Sequence, residues 1–206
     1  MGKVRVVVAD DHSIVRTGLV SLLGAKRGFE VVAEAANGEE AVEVAMRHRP
    51  DVVVMDLMMP GKDGAEATAM LHSAAPEVKV LILTTFGTAN DIAHALDNGA
   101  SGAIMKSATN DELVAAILGV VAGERVVSPE IERILEEAEP VAELSQRQIQ
   151  ILDSITRGLS NTQISEQYGI SLESVKTHIV KLFAKIGASN RAEAASIALR
   201  RHLLKI

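Results

Sequence analysis

The sequence predicts an α/β chain: a five-stranded, doubly wound parallel sheet followed by a small all-α domain. Three observations carry this. Short apolar runs alternate with helical patterns over the first 123 residues. Each of four such runs ends in a polar residue that could act at a strand terminus. After residue 143 the strand pattern stops and glycines punctuate short amphipathic helices.

The elements follow in order. Val4–Ala9 is the first strand, and about Ser13–Leu23 the first helix. Glu30–Ala35 is the second strand. Asn37 then opens a helix as its N-cap, with Glu40 reaching back, and Arg49-Pro50 ends it. Val52–Met55 leads to Asp56, and Pro60–Gly64 is a loop. A third helix runs to about Ser73, a fourth strand to Thr84, and a fourth helix from about Ala89 to Asn98, capped by Gly99. Gly102–Met105 is the fifth strand and about Asp111–Ala122 the fifth helix. Residues 124–143 read as an acidic linker, with a short helix between Pro129 and Pro140 and a weak stripe of Ile131, Ile134, Leu135 and Ala138. In residues 144–206, Ser145 and Gln148 suggest a capping box for a helix to about Arg157. Asn161–Tyr168 is a second helix, Ser171 to Ile186 a third, and a fourth begins near Asn190. Two short helices joined through a Gly-containing turn match helix-turn-helix punctuation.

Composition narrows the chemistry. The 206 residues are 48% hydrophobic but only 2% aromatic, so the cores are built from Ala, Val, Leu and Ile. Without Cys, disulfides and thiolate metal sites are excluded. No membrane span and no signal-peptide apolar region are visible, which predicts a cytoplasmic protein without a membrane partner. Charge is uneven. Residues 1–123 carry 10 Lys and Arg against 16 Asp and Glu, residues 124–143 carry 2 against 7, and residues 144–206 carry 9 against 4. A basic segment after an acidic body points to a polyanionic partner for the C-terminal part.

In an open parallel sheet the strand carboxyl ends collect on one side, where ligands bind. Asp10, Asp11, Asp56, Thr84 and Lys106 therefore converge. Any one of them alone is unremarkable, since acids often follow strands as turn formers or caps. Together they form a site for a divalent cation and a phosphoryl group. Mg²⁺ takes oxygen ligands from one or two carboxylates and keeps waters. Asp11 and Asp56 can ligate directly and Asp10 through water. A carboxylate can also act as a nucleophile and become an aspartyl phosphate. Thr84 can donate a hydrogen bond to the phosphoryl group and Lys106 can neutralise it.

The segments Val7-Val8-Ala9-Asp10-Asp11-His12, Met55-Asp56-Leu57-Met58-Met59-Pro60-Gly61-Lys62-Asp63-Gly64, Leu83-Thr84-Thr85 and Ile104-Met105-Lys106 resemble the receiver domain of two-component response regulators. The resemblance covers about residues 3–122 and implies a flavodoxin-like fold. It implies Asp56 as phosphoacceptor, Mg²⁺ held by Asp11, Asp56 and the Met58 carbonyl, and Thr84 and Lys106 sensing the phosphoryl group. It also implies that Met58 and Phe86 flank the path of a hydrolytic water. Both are apolar, so slow loss of the phosphoryl group is expected. There is one departure: many receivers carry Tyr or Phe where this chain has Ala103.

In the C-terminal part, Leu172, Val175, Ile179, Leu182 and Ile186 mark a buried stripe, widened by Phe183. The opposite face carries Glu173, Lys176, Thr177, Val180, Lys181 and Ala184. Such a face suits a major groove, where Lys reads guanine acceptors and Thr or Val meets thymine methyls. A solvated helix face would look the same, and the surrounding pattern decides between the two. Leu144-Ser145-Gln146-Arg147, Gly158-Leu159-Ser160-Asn161, Ile164-Ser165, Ser171 to His178 and Ser189 to Ala194 look like the LuxR-type DNA-binding domain. The resemblance implies Lys176, Thr177 and Val180 at bases, and Thr162, Gln163, Lys181 and Asn190 near phosphates. Gln148, Gln150, Thr162 and Gln163 depart from the Glu, Asp or Lys often found at their positions.

The whole resembles a response regulator of the NarL/FixJ class, with domains 1–123 (receiver), 124–143 (linker) and 144–206 (DNA-binding). The implied partners are a sensor histidine kinase, double-stranded promoter DNA, a second copy in a phosphorylated homodimer, and RNA polymerase as a further candidate. Two other readings compete. One is a phosphorylation-independent DNA binder whose receiver is a protein-interaction module, favoured by Ala103. The other is an enzyme transferring phosphate on an external substrate. That reading wants a second Asp two residues after Asp56, where Met58 stands, so no enzyme of that kind is expected.

Overall fold

The computed structural model describes residues 2–85, 88–137, 144–200 and 203–204, the side chains of 199 and 200 excepted. The chain divides into two compact units, Met1–Glu137 and Ala138–Ile206.

In the first unit the strands are β1 (Val4–Ala9), β2 (Phe29–Ala35), β3 (Val52–Asp56), β4 (Lys79–Thr84), β5 (Gly102–Met105) and β6 (Val126–Val127). Their order is β2-β1-β3-β4-β5-β6, and every pairing is parallel. The helices are α1 (Ser13–Ala25), α2 (Gly38–His48), α3 (Gly64–Ala74), α4 (Ala89–Asp97), α5 (Asn110–Val121) and α6 (Pro129–Glu136).

Strand alternation splits the core into two layers. Val7, Ala9, Val53, Met55, Ile82 and Ala103 face Ala41, Ala45, Leu71, Ile92 and Ile131. Val6, Val8, Val54, Leu81, Leu83 and Ile104 face Leu23, Leu113 and Ile117. The inner strands β3, β4 and β5 read as apolar runs because both faces are covered, whereas the edge strand β2 carries exposed Glu30 and Glu34.

Helix starts follow the predicted chemistry. The Asn37 side chain accepts the Glu40 N–H at 2.9 Å. The Glu40 carboxylate reaches one residue beyond the cap, accepting the Ala36 N–H at 2.8 Å. Arg49 takes φ 45 before Pro50, ending α2 in a left-handed turn.

One expectation is corrected. The sheet has six strands, not five, since Val126 and Val127 pair with Gly102 and Ala103. The first compact unit extends to Glu137, with Ile131 fully buried and Ile134 and Leu135 packed against the same core layer. The apolar stripe read in the sequence is this buried face, and the acidic residues of α6 lie on its solvent side. Ala138, also placed on that stripe, lies outside the described residues.

Truncating a fully buried Ile typically costs 2–5 kcal/mol. Ile131→Ala is therefore expected to destabilise the receiver by about 2–5 kcal/mol in urea unfolding. An unchanged midpoint would show that α6 is not part of the receiver core.

The second unit contains α7 (Gln146–Thr156), α8 (Asn161–Tyr168), α9 (Leu172–Ile186) and α10 (Arg191–Arg200). Ile151, Leu152, Ile164, Val175, Leu182, Ile186 and Ala194 form its core. The Ser145–Gln148 capping box opens α7 as expected. Among the described residues, no helix is long and apolar enough to cross a membrane.

Candidate functional site

The parallel sheet brings four of its strand ends together. Asp10 follows β1, Asp56 ends β3, Thr84 ends β4 and Lys106 follows β5. Asp10, Asp56 and Thr84 are buried, with Asp56 only 4% exposed. Lys106 Nζ stands 2.7 Å from Asp10 Oδ2 and 2.7 Å from Asp56 Oδ2. Its backbone N–H donates to the Thr84 carbonyl at 2.7 Å, so β4 and β5 fix each other's ends.

The electrostatics follow from this packing. Burial raises the Asp56 carboxyl pKa above its ordinary value and the neighbouring Asp10 adds to the rise, while the Lys106 hydrogen bond and charge oppose it. Burial works against the Lys106 ammonium, but its bonds to Asp10 and Asp56 outweigh that and hold its pKa above the ordinary value.

The loop after β3 is folded back tightly. Gly64 N–H donates to the Leu57 carbonyl at 2.9 Å. A Cβ at Gly64 would stand 2.3 Å from the Asp56 carbonyl oxygen, so only glycine permits this approach. The fold-back leaves the Met58 N–H 3.4 Å from Asp56 Oδ1.

Asp11 is more exposed and is reached by His12, whose Nδ1 lies 2.7 Å from Asp11 Oδ1. One ligand atom each from Asp10, Asp11, His12 and Asp56 falls within 4.8 Å of all the others. This carboxylate-rich donor set fits a hard divalent cation. The Thr84 hydroxyl is buried without a hydrogen-bond partner among the described residues, leaving its capacity available to a ligand.

Two residues that sequence reasoning did not assign to the site also belong to it. His12 is one. Arg16 is the other: its Nη1 donates to the Asp10 carbonyl at 2.6 Å and its Nε lies 3.3 Å from Glu34 Oε2. The one available signal was their distance from the acidic pair, one residue and one helical turn. Phe86, expected to flank the site, lies outside the described residues.

In the second unit, Lys176, Thr177, Val180 and Lys181 share the exposed face of α9, with Val180 69% exposed. Thr177 Oγ1 donates to the Glu173 carbonyl at 3.0 Å, leaving its methyl as its outward apolar group. Thr162 is exposed in the first turn of α8. Gln163 Oε1 accepts the Ser160 N–H at 2.8 Å in a capping box, so its side chain is already engaged in holding the helix start. Asn190 has the same kind of task at α10, its Oδ1 accepting the Glu193 N–H at 2.9 Å.

Comparison with known proteins gives a match to the response regulator receiver domain over residues 6–118. A second match, to the luxR family of bacterial regulatory proteins, covers residues 142–198. The chain belongs to the response regulators.

The oxygen regulatory protein NreC of Staphylococcus aureus is 36% identical over 215 residues, covering 98% of this chain and 99% of that protein. The crystal structure of the response regulator ChrA, of a heme-sensing two-component system, is 38% identical. It covers 99% of this chain and 100% of its own, with a TM-score of 0.61. RcsB of Salmonella enterica serovar Typhimurium, solved bound to promoter P1flhDC with a phosphomimetic, shares the fold at 22% identity and a TM-score of 0.70, over 95% of this chain and 98% of its own. This response regulator is thus a two-component transcription regulator with a receiver and a LuxR-type DNA-binding domain.

Proposed function

We propose that Asp56 accepts a phosphoryl group from a sensor histidine kinase in a Mg²⁺-dependent reaction, and that this controls promoter binding by the C-terminal domain. The observation that carries the reading is a buried carboxylate at the centre of the sheet, bonded at 2.7 Å to a lysine that also holds Asp10. Asp56 would attack the phosphorus of a phosphohistidine or small phosphodonor. The new O–P bond forms as the bond to the leaving group breaks, and the leaving group departs with the electron pair. Asp11, Asp56 and the Met58 carbonyl would hold Mg²⁺ directly and Asp10 through water, supplying charge neutralisation to the transferring phosphoryl oxygens. Lys106 offers a cation to the same oxygens, and the Thr84 hydroxyl a hydrogen bond.

In the C-terminal domain, Lys176, Thr177 and Val180 would meet bases while Thr162, Gln163, Lys181 and Asn190 lie along phosphates. A phosphorylated homodimer would read two half-sites about one helical turn, or a multiple of it, apart. The protein would work in the cytoplasm, with RNA polymerase as a further partner. The deciding experiment is binding to a genomic fragment library with and without a small phosphodonor and Mg²⁺.

A second reading keeps the DNA binding but makes the receiver a protein-interaction module. It is favoured by Ala103, which is small and fully buried where an aromatic relay would sit. Equal DNA affinity of phosphorylated and unphosphorylated protein would select it.

The phosphoryl group on Asp56 is expected to persist for hours. Met58 is 41% exposed beside the site and offers no group to orient a water. Met58→Asn supplies one, and each 1.36 kcal/mol removed from the barrier speeds loss about tenfold. Decay of the labelled protein checks this. A wild-type half-life of seconds, or no acceleration in the variant, would remove Met58 from control of water access.

A further inference from the structure

We infer that His12 is a further metal ligand of the acidic pocket, making it a site for first-row divalent transition ions as well as Mg²⁺. The inference rests on the cation site proposed above and names the chemistry that this chain's own histidine adds to it.

The geometry comes first. His12 Nδ1 lies 2.7 Å from Asp11 Oδ1 and 3.6 Å from Asp10 Oδ1. One ligand atom each from Asp10, Asp11, His12 and Asp56 lies within 4.8 Å of all the others. Around a cation with ligand bonds of about 2.1 Å, adjacent octahedral ligands stand about 3.0 Å apart and opposite ones about 4.2 Å. The 2.7 and 3.6 Å separations from His12 Nδ1 bracket the adjacent spacing, and the four-residue group spans no more than 4.8 Å, somewhat wider than the opposite spacing, so binding would draw it inward.

The backbone supports this placement. The His12 N–H donates to Asp10 Oδ1 at 2.8 Å, tying the residue to the fully buried wall of the pocket. The imidazole itself is 69% exposed, so it can turn about its side-chain bonds without disturbing the core.

Ligand chemistry gives the class of ion. Carboxylates and carbonyls suit Mg²⁺, whereas imidazole suits Zn²⁺, Fe²⁺, Ni²⁺ and Cu²⁺, and nitrogen adds little for Mg²⁺. An imidazole added to the Asp11 and Asp56 carboxylates binds the transition ions more tightly than the carboxylates alone. His12 thereby sets metal preference without touching the phosphoacceptor.

The test uses the full-length protein, with Mn²⁺ and Co²⁺ as probes and His12→Gln as the variant. Because His12 is on the surface, that variant is expected to fold normally. In the wild type, the electron spin echo of bound Mn²⁺ should show modulation from an imidazole nitrogen. His12→Gln should remove it, and Asp11→Ala should remove it too, placing the signal in this pocket. Loss of groups that only support a ligand already costs 10–100-fold in metal affinity, so losing the ligand itself should lower Co²⁺ affinity at least about tenfold. Mg²⁺ affinity should change little. Mn²⁺ bound without nitrogen modulation, or modulation that survives His12→Gln, overturns this inference and leaves the Mg²⁺ site standing. A wild-type protein that binds neither Mn²⁺ nor Mg²⁺ overturns both.

Discussion

Replacing Asp56 with asparagine is expected to bring incorporation of acid-labile phosphate from a small phosphodonor down to background. An amide oxygen is a poor nucleophile, and the two neighbouring carboxylates are held by other partners. Asp10 is buried against Lys106, and Asp11 lies on the outer side of the pocket beside His12. The variant should nevertheless fold. Breaking a buried ion pair by removing one partner costs about 3–5 kcal/mol when it strands a charge, but Lys106 retains Asp10 at 2.7 Å. The introduced amide also keeps an oxygen to accept from the ammonium. Asp11→Ala is expected to remove most of the Mg²⁺ dependence of labelling while leaving Asp56 intact. Full labelling of Asp56→Asn would sink the assignment of the phosphoacceptor.

The second large effect is expected on DNA. Lys176 and Lys181 sit on the same exposed face of α9, but their proposed targets differ. Lys176→Ala should cost about 1–3 kcal/mol and relax preference at one position of the site, as loss of a base contact does. Lys181→Ala should weaken all sequences alike and flatten the dependence of affinity on salt by about one unit, as loss of one phosphate contact does. Titrations of specific and scrambled duplexes across several salt concentrations separate the two. If Lys176→Ala keeps both affinity and preference, α9 is not the reading helix.

The part of the site legible in the sequence was the part dictated by the sheet. Apolar runs marked β1, β3, β4 and β5, and parallel pairing then brought Asp10, Asp56, Thr84 and Lys106 to one side. The face of α9 was legible for a similar reason, since a single periodicity decides which residues are buried. What escaped has no such period behind it. Val126 and Val127 are too few to show alternation, and they become a strand because β5 lies beside them. Ile131 was visible as part of a short apolar stripe, but one helix's periodicity does not say which surface it will cover. His12 and Arg16 act from a loop and a helix start, so the rule that strand ends gather had nothing to say about them.

The short sixth strand has a consequence for how this domain behaves among its copies. The outermost strand of an open sheet offers unpaired backbone groups to any chain that can pair with them. Here β5 would be that strand, and its backbone is met instead by two donors: Val126 N–H donates to the Ser101 carbonyl at 3.2 Å, and Ser128 N–H donates to the Ala103 carbonyl at 3.0 Å. Gly102 permits the approach, since a Cβ there would stand 2.3 Å from the Val126 carbonyl oxygen. Two residues suffice because β5 itself is only four residues long. The next element, α6, packs against α4 and β5 and keeps Glu130, Glu132, Glu136 and Glu137 exposed. A receiver cut after residue 123 would thus be a different object from the native unit. It would carry the whole of β5 as an adhesive edge, where the intact protein ends in a strand of only two residues.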